Sequence, residues 1–322
     1  EMLRSLVGSE MCIRDSYKIY QYDFILKAWT EYDLVRVNEI KLDNLVPSMF
    51  YKFKIVVPTA NALRENLVGH IAFYTCPEAS TLSLQAYSAT SATITWQSEK
   101  EPSSYEIYRK AEKDDDFTCI AEVDGSQTVF EDNDVTPKTH YEYKIKNVVQ
   151  NAEDKRKSKF SDSVALKTGK TMKLPKVSGK CKTYAYYTAV TDKTSPAYAV
   201  LNSGTYHGVT YETYTDEETG IRMVDDCYCA ALGTYYGTVK GTKYKITLDS
   251  GESFKIILCD TKSNRHTDKK HQYAKKNKDI VEFYVDKDKI PDNINGNYNR
   301  LEQFHGAIKS IEKIKELKTE IQ

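Results

Sequence analysis

An internal repeat constrains the fold of this chain more than any other feature of its sequence. The tetrapeptide YKIY at residues 17–20 recurs as YEIY at residues 105–108. Downstream, YKFKI at residues 51–55 recurs as YEYKI at residues 141–145, so the two motifs start 34 residues apart in one copy and 36 in the other. Two copies with nearly equal spacing indicate two modules of the same kind.

The repeated segments have the periodicity of β-strands. Tyr141, Tyr143 and Ile145 alternate with polar residues, and a strand with one buried face requires this period of two. Apolar residues make up 40% of the chain, which is enough for packed cores, and no run approaches the roughly 18 apolar residues of a membrane helix. Short strands at these intervals predict β-sandwiches.

Residues 17–168 resemble the fibronectin type III family. Trp96 stands where that family buries the tryptophan of its second strand, and Tyr51 and Tyr141 match the tyrosine of its sixth strand. The resemblance implies that this tyrosine hydroxyl bonds back to the preceding corner of the chain. It also implies that the modules serve as spacers or as platforms for other domains and protein partners.

Residues 1–16 contain the string VGSEMCIRDS, which resembles a translated sequencing adapter. We therefore expect this segment to be an artefact that replaces the first two strands of the first module and hides any signal peptide. The predicted domains are an artefact at 1–16, a truncated module at 17–79, a complete module at 80–170 and a small β-barrel with a charged tail at 171–322.

The predicted barrel has a strong hairpin, residues 243–248 and 254–258, and a further strand at 280–285. With the run from Gly241 to Asp260, this region resembles the double-psi β-barrel, a family of rare-lipoprotein-A-type lytic transglycosylases, 3D domains and expansin-like proteins. The resemblance places the family's groove aspartate at Asp260. The chain departs from the family in the residues that follow Asp260, and it lacks the expected histidine before the Gly-Thr strand.

A polar cluster follows the hairpin and supplies the candidate catalytic residues Asp260, Asp268 and Glu282. A carboxylic acid in a partly apolar groove acts as a general acid near neutral pH when desolvation raises its pKa. The resemblance implies lytic cleavage of peptidoglycan by such a group. The alternative interpretation makes Asp260 a strand-end residue that caps a loop and Glu282 a solvated outward residue.

The candidate substrate-binding residues surround these carboxylates. Residues 262–278 hold seven Lys or Arg and one acid, a composition that suits an anionic polymer and equally suits a solvated loop. His266, Asp268 and His271 suggest a metal, but without a tight ligand pair we expect no metal and no cofactor. The predicted binding residues are Tyr235, Tyr236, His266, Lys262 and Arg265, next to a tyrosine-rich zone (Tyr184, Tyr186, Tyr187, Tyr206, Tyr211 and Tyr214).

The sequence and its resemblances predict a mainly β chain, with tandem fibronectin type III sandwiches and a C-terminal small β-barrel. Its formal net charge is zero, which argues against nucleic acid as a partner. We expect an extracellular, cell-surface or phage-virion protein whose barrel associates with cell-wall glycan and cleaves peptidoglycan. The alternative is a non-catalytic structural or adhesion protein, such as a phage tail or surface component. The tail, residues 301–322, is predicted as a final strand followed by a charged helix.

Overall fold

A computed structural model of the chain describes residues 16–37, 39–58, 65–177, 182–185, 205–206, 209–210 and 212–317. The adapter-like string lies outside these residues. The described residues form two compact units. The first unit comprises the described residues within 1–83, 94–130 and 141–166. The second comprises the described residues within 84–93, 131–140 and 167–322. This division cuts through the second repeat, so the domain boundaries drawn from the repeat remain predictions.

The described part of the chain is mainly β, as predicted. Its other regular elements are short 3-10 helices at Asn264–His266, Lys287–Lys289, Asp292–Ile294, Tyr298–Arg300 and Glu302–Phe304. The strands up to residue 167 are β1 (Tyr17–Asp23), β2 (Ala28–Val35), β3 (Phe50–Pro58), β4 (Glu65–Tyr74), β5 (Thr81–Tyr87), β6 (Ala92–Gln97), β7 (Ser104–Ala111), β8 (Thr118–Asp124), β9 (Val129–Asp132), β10 (His140–Gln150), β11 (Lys155–Lys157) and β12 (Val164–Lys167).

The two repeats build the same sheet in the first unit. Strands pair in the order β2-β1-β3-β4 in the first repeat and β8-β7-β10-β11 in the second, and all of these pairs are antiparallel. The two tyrosine-containing motifs of each repeat therefore lie on adjacent central strands. This strand order is that of the four-stranded sheet of a fibronectin type III module, which confirms the resemblance at the level of modules.

Two residues marked by the resemblance take the positions that it implies. The Tyr51 hydroxyl accepts a hydrogen bond from the backbone N–H of Val46 at 2.9 Å, which closes the corner before β3. Trp96 is 2% exposed and packs edge-on against Tyr105, with 5.2 Å between ring centroids. Burial of an aromatic ring on this scale makes it a main contributor to the core of its module.

The C-terminal strands are β13 to β23. They are β13 (Lys182–Ala185), β14 (Thr205–Tyr206), β15 (Val209–Thr210), β16 (Thr213–Thr215), β17 (Arg222–Val224), β18 (Cys227–Leu232), β19 (Lys243–Leu248), β20 (Ser253–Thr261), β21 (Val281–Tyr284), β22 (Ile308–Lys313) and β23 (Lys315–Glu316).

One mixed sheet dominates the second unit. Its order is β13-β21-β18-β20-β19-β22, with β17 also paired to β18. The predicted hairpin is confirmed as the antiparallel pair β19 and β20, whereas β18 and β20 run parallel. The core of this unit is rich in aromatic rings, since Phe254, Phe283 and Phe304 contact one another. Closure of the sheet into a double-psi barrel remains a prediction.

The predicted helix in the tail is wrong within the described residues. The spacing of Phe304, Ile308 and Ile311 resembles that of a helix, but Phe304 ends a 3-10 turn and the other two lie on β22. Ile308 and Ile311 enter the apolar core because β22 pairs with β19, so cross-strand pairing outweighs the local period. The predicted final strand is confirmed as β22, and residues 318–322 lie outside the described residues.

A buried carboxylate fixes β22 in the second unit. Glu312 is 1% exposed. It accepts hydrogen bonds from the Ser88 hydroxyl at 2.9 Å, from the N–H and hydroxyl of Thr90 at 3.0 Å each, and from the Ser310 hydroxyl at 3.2 Å. A buried charge without such donors strongly destabilises the folded state, so the folded chain must keep these hydrogen bonds. They hold the turn at residues 88–91 against β22.

Two buried lysines on β19 make further polar contacts in the second unit. Lys243 is 6% exposed, and its ammonium lies 2.7 Å from a carboxylate oxygen of Glu316. The Lys245 ammonium donates a hydrogen bond to the side-chain oxygen of Asn133 at 2.7 Å. The second unit is therefore held together by directed polar contacts as well as by its apolar core.

Replacing Glu312 by Gln tests the carboxylate at β22. The substitution removes the charge and turns an amide N–H toward donors, so we expect the free energy of unfolding to fall by about 2 kcal/mol. The measurement is urea denaturation. The matched control Glu302→Gln removes an exposed carboxylate and leaves stability within about 0.5 kcal/mol. Equal effects of the two substitutions would contradict the role assigned to Glu312.

Alkaline unfolding tests the buried Tyr244. Burial raises the pKa of its hydroxyl to about 12, and the hydroxyl donates to the backbone oxygen of Tyr236 at 2.9 Å. The unfolded chain ionises near pH 10, so the folded state holds this proton more tightly. The stabilisation is complete below pH 10 and is lost as the pH rises from 10 to 12. In urea titrations at several pH values, Tyr244→Phe should lose stability less steeply than wild type over this interval, and an unchanged slope would contradict the assignment.

Candidate functional site

A β-bulge decides where Asp260 points. Along β20, Phe254, Ile256 and Leu258 alternate into the apolar core, and continued alternation would send Asp260 there too. The pairing of β18 with β20 shifts at this point: Ala230 lies opposite Leu258, but Ala231 lies opposite Asp260. The extra residue moves Asp260 to the other face of the sheet, since a slip of one residue reverses every side chain that follows.

Asp260 and Glu282 share this second face. Ala231 on the central strand β18 lies opposite Asp260 on one side and opposite Glu282 on the other. Paired residues point to the same face, and two strand spacings separate the carboxylate-bearing Cα atoms by about 10 Å. The structure therefore brings two of the three predicted catalytic carboxylates to one face of one sheet.

Among the described residues, Asp260 has two side-chain partners. Its carboxylate lies 3.5 Å from the Lys240 ammonium and accepts a hydrogen bond from the Tyr284 hydroxyl, also at 3.5 Å. The Asp260 side chain is 32% exposed, whereas Tyr284 is 5% exposed. Burial, together with the negative charge of Asp260, raises the pKa of Tyr284 well above its ordinary value. Tyr284 is therefore a neutral hydrogen-bond donor at physiological pH.

Glu282 forms an ion pair with Lys262. One carboxylate oxygen lies 2.6 Å from the ammonium, and the Lys262 side chain is only 4% exposed. Burial lowers the pKa of Lys262, and the charges of Glu282 and Asp279 oppose that effect. Lys262 was predicted to bind substrate, but the structure buries it against Glu282.

Asp268 is the anchor of a turn. Its carboxylate accepts hydrogen bonds from the backbone N–H groups of Gln272 at 2.6 Å, Lys270 at 3.0 Å and Tyr273 at 3.1 Å. Burial alone would raise the pKa of Asp268, but these N–H groups outweigh it and hold the pKa below its ordinary value. Asp268 is thus a carboxylate at neutral pH and has no proton to donate.

The remaining candidates differ in exposure. Tyr235 is 43% exposed, but Tyr236 is 2% exposed and belongs to the apolar core, so its ring is not presented to a substrate. Arg265 and His266 are exposed on the 3-10 turn Asn264–His266. In the tyrosine-rich zone, Tyr214 is 43% exposed. The side chains of Tyr184, Tyr186, Tyr187, Tyr206 and Tyr211 lie outside the described residues.

Sequence reasoning missed the two partners of Asp260. Tyr284 follows Glu282 by two residues on the same strand, so strand alternation already placed both on one face. Lys240 lies in the connection before β19, and no periodic signal linked it to Asp260.

Within the described ranges, His, Cys, Asp and Glu side chains form no group of three that could hold a metal ion. None of the helices in these ranges has both the length and the apolarity to cross a membrane.

Comparisons with known proteins give structural likenesses only. No protein-family model matches the chain, and no curated protein matches it significantly. A two-domain fibronectin type III segment of chicken tenascin is 18% identical, covers 51% of this chain and 88% of its own, and has a TM-score of 0.35. The FN1–FN3 domains of chicken CNTN1 are 18% identical, with 48% and 57% covered and a TM-score of 0.28. The module assignment rests on the strand order and the tyrosine contact described above.

The ion pair between Glu282 and Lys262 is tested by a double-mutant cycle. Glu282→Gln leaves the Lys262 ammonium buried without its carboxylate, so we expect the free energy of unfolding to fall by about 3 kcal/mol. In the double variant with Lys262→Met, an apolar side chain replaces the buried charge, and most of this loss should be recovered. Urea denaturation of the four proteins measures the coupling. Additive effects of the two substitutions would contradict a direct pair.

Proposed function

We propose that this chain is an extracellular structural or adhesion protein. Its fibronectin type III modules act as spacers, and its C-terminal unit is a non-catalytic domain that binds cell-wall glycan or docks to another protein. The observation that supports this proposal most is the pairing of the three candidate carboxylates. Asp260 faces Lys240, Glu282 faces Lys262, and Asp268 accepts three backbone N–H groups.

This pairing bears on catalysis because glycan cleavage needs a proton donor. A carboxyl group that protonates a glycosidic oxygen must hold its proton near neutral pH, usually through an apolar setting. For Asp268 the surrounding N–H groups do the opposite, because they hold its pKa below the ordinary value. Asp260 and Glu282 are each engaged in an ion pair, and such contacts suit structural roles better than acid catalysis.

A second candidate function is lytic cleavage of peptidoglycan centred on Asp260. One observation favours it: Asp260 is partly exposed and shares a sheet face with Glu282, and the neutral Tyr284 hydroxyl points at it. In this alternative Asp260 protonates the leaving glycosidic oxygen and then takes the proton of the sugar hydroxyl that closes the anhydro ring. Tyr284 orients Asp260, and Tyr235 and Arg265 contact the substrate. A phage tail or cell-surface location suits either function.

Incubation with purified peptidoglycan separates the two functions. We expect the protein to release no soluble fragments detectable by mass spectrometry, and Asp260→Asn should leave its co-sedimentation with the wall unchanged. The matched control Asp292→Asn changes an exposed aspartate outside the site. Anhydro-sugar products that disappear in Asp260→Asn but persist in Asp292→Asn would overturn the non-catalytic proposal. If the protein co-sediments with the wall and releases no products, the result supports wall adhesion. If it neither co-sediments nor releases products, the result supports docking to a protein.

A further inference from the structure

Each repeat holds a lysine ammonium over aromatic rings on the same face of its sheet. In the first repeat Tyr20 on β1 lies directly opposite Lys54 on β3. In the second repeat Tyr108 on β7 lies directly opposite Lys144 on β10. These are equivalent positions of the repeat, because both tyrosines end the YxIY motif and both lysines follow the sixth-strand tyrosine by three residues. All four residues belong to the first unit.

The first of these faces consists of Tyr20, Tyr22, Trp29 and Lys54. The Lys54 ammonium lies 4.6 Å from the ring centroid of Tyr20 and 5.2 Å from that of Trp29. Tyr22 packs edge-on against Trp29, with 5.2 Å between ring centroids. Trp29 is 38% exposed, so an aromatic side chain with an ammonium over its ring reaches solvent.

The second face consists of Tyr108, Phe117, Lys144, Lys146 and Phe160. The Lys144 ammonium lies 4.6 Å from the Phe117 centroid, and the Lys146 ammonium lies 4.1 Å from the Phe160 centroid. Phe160 is 38% exposed and packs edge-on against Tyr108 at 4.9 Å. The second repeat thus reproduces the chemistry of the first with different aromatic residues.

We propose that these two cation–aromatic faces bind an anionic polysaccharide whose sugars carry carboxylates. An aromatic ring packs against the C–H face of a sugar, and a partly desolvated lysine beside the ring attracts its carboxylate. One uronate unit carries both groups. Two equivalent faces in tandem fit a polymer, since two linked sites bind a repeating ligand more tightly than either site alone.

The charges around the faces favour a uronate polymer over a nucleic acid. Glu31 lies opposite Tyr20 on the neighbouring strand, and its side chain is 52% exposed. Its carboxylate also lies 3.6 Å from the Lys18 ammonium, so its charge is partly balanced and its oxygens can accept sugar hydroxyls. Nucleic-acid affinity depends on neutralising many phosphates, whereas each face carries one or two lysines and the chain has no net charge.

Titration of the full chain with oligogalacturonate, followed by calorimetry, tests this inference. Lys54→Gln and Lys144→Gln remove one cation from each face, and each should weaken binding about fivefold, with a larger loss in the double variant. Trp29→Thr keeps the charge but removes a ring, and it should also weaken binding about fivefold. The matched controls Lys41→Gln and Lys113→Gln remove exposed lysines of the same modules and should stay within about twofold.

Thermal unfolding of every variant first establishes that it is folded. No saturable binding of oligogalacturonate by the wild type would overturn the inference, as would equal weakening by the control lysines. Binding of neutral dextran fragments with equal affinity would also overturn it, because the lysines would then have no role. Equal or tighter binding of single-stranded DNA of matched charge would assign the faces to nucleic acid instead. The inference uses residues of the first unit and does not depend on the function proposed for Asp260.

Discussion

A buried carboxylate organises the second unit. Glu312 is almost without solvent access, so its charge is tolerated only where protein donors replace water. Ser88, Thr90 and Ser310 supply those donors, and they come from two segments more than two hundred residues apart in sequence. The requirement to satisfy one charge therefore specifies how the turn at residues 88–91 meets β22. Apolar packing alone would allow more than one such arrangement, because it has no direction.

The face that carries Asp260 depends on a second local constraint. A regular β20 would turn Asp260 toward Leu258 and the core, where an aspartate has no compensating partners. One extra residue in the strand reverses the alternation and places Asp260 beside Lys240 and the Tyr284 hydroxyl. The candidate site therefore exists because of a bulge, and bulges commonly re-aim side chains in this way.

The same face shows why residue types alone do not define an active site. Asp260, Asp268 and Glu282 are suitable acids by type, and their order after a strong hairpin suggested a groove. In the structure Asp260 lies beside the Lys240 ammonium and Glu282 beside the Lys262 ammonium, and backbone N–H groups hold the pKa of Asp268 below its ordinary value. These contacts support the proposal that the second unit is a non-catalytic binding or docking domain.

The sequence by itself determined the β-class, the two repeats, the tyrosine corner at Tyr51 and the buried Trp96. The β-class and the repeats follow from a period of two and from motif spacing, which are local patterns. The tyrosine corner and the buried tryptophan follow from the resemblance of these motifs to the fibronectin type III family. Tertiary structure decided the rest. The bulge at Asp260, the burial of Lys262 against Glu282 and the strand at Ile308–Lys313 all depend on which strands pair. Strand pairing joins residues that are distant in sequence, so a local sequence pattern does not show which strands pair.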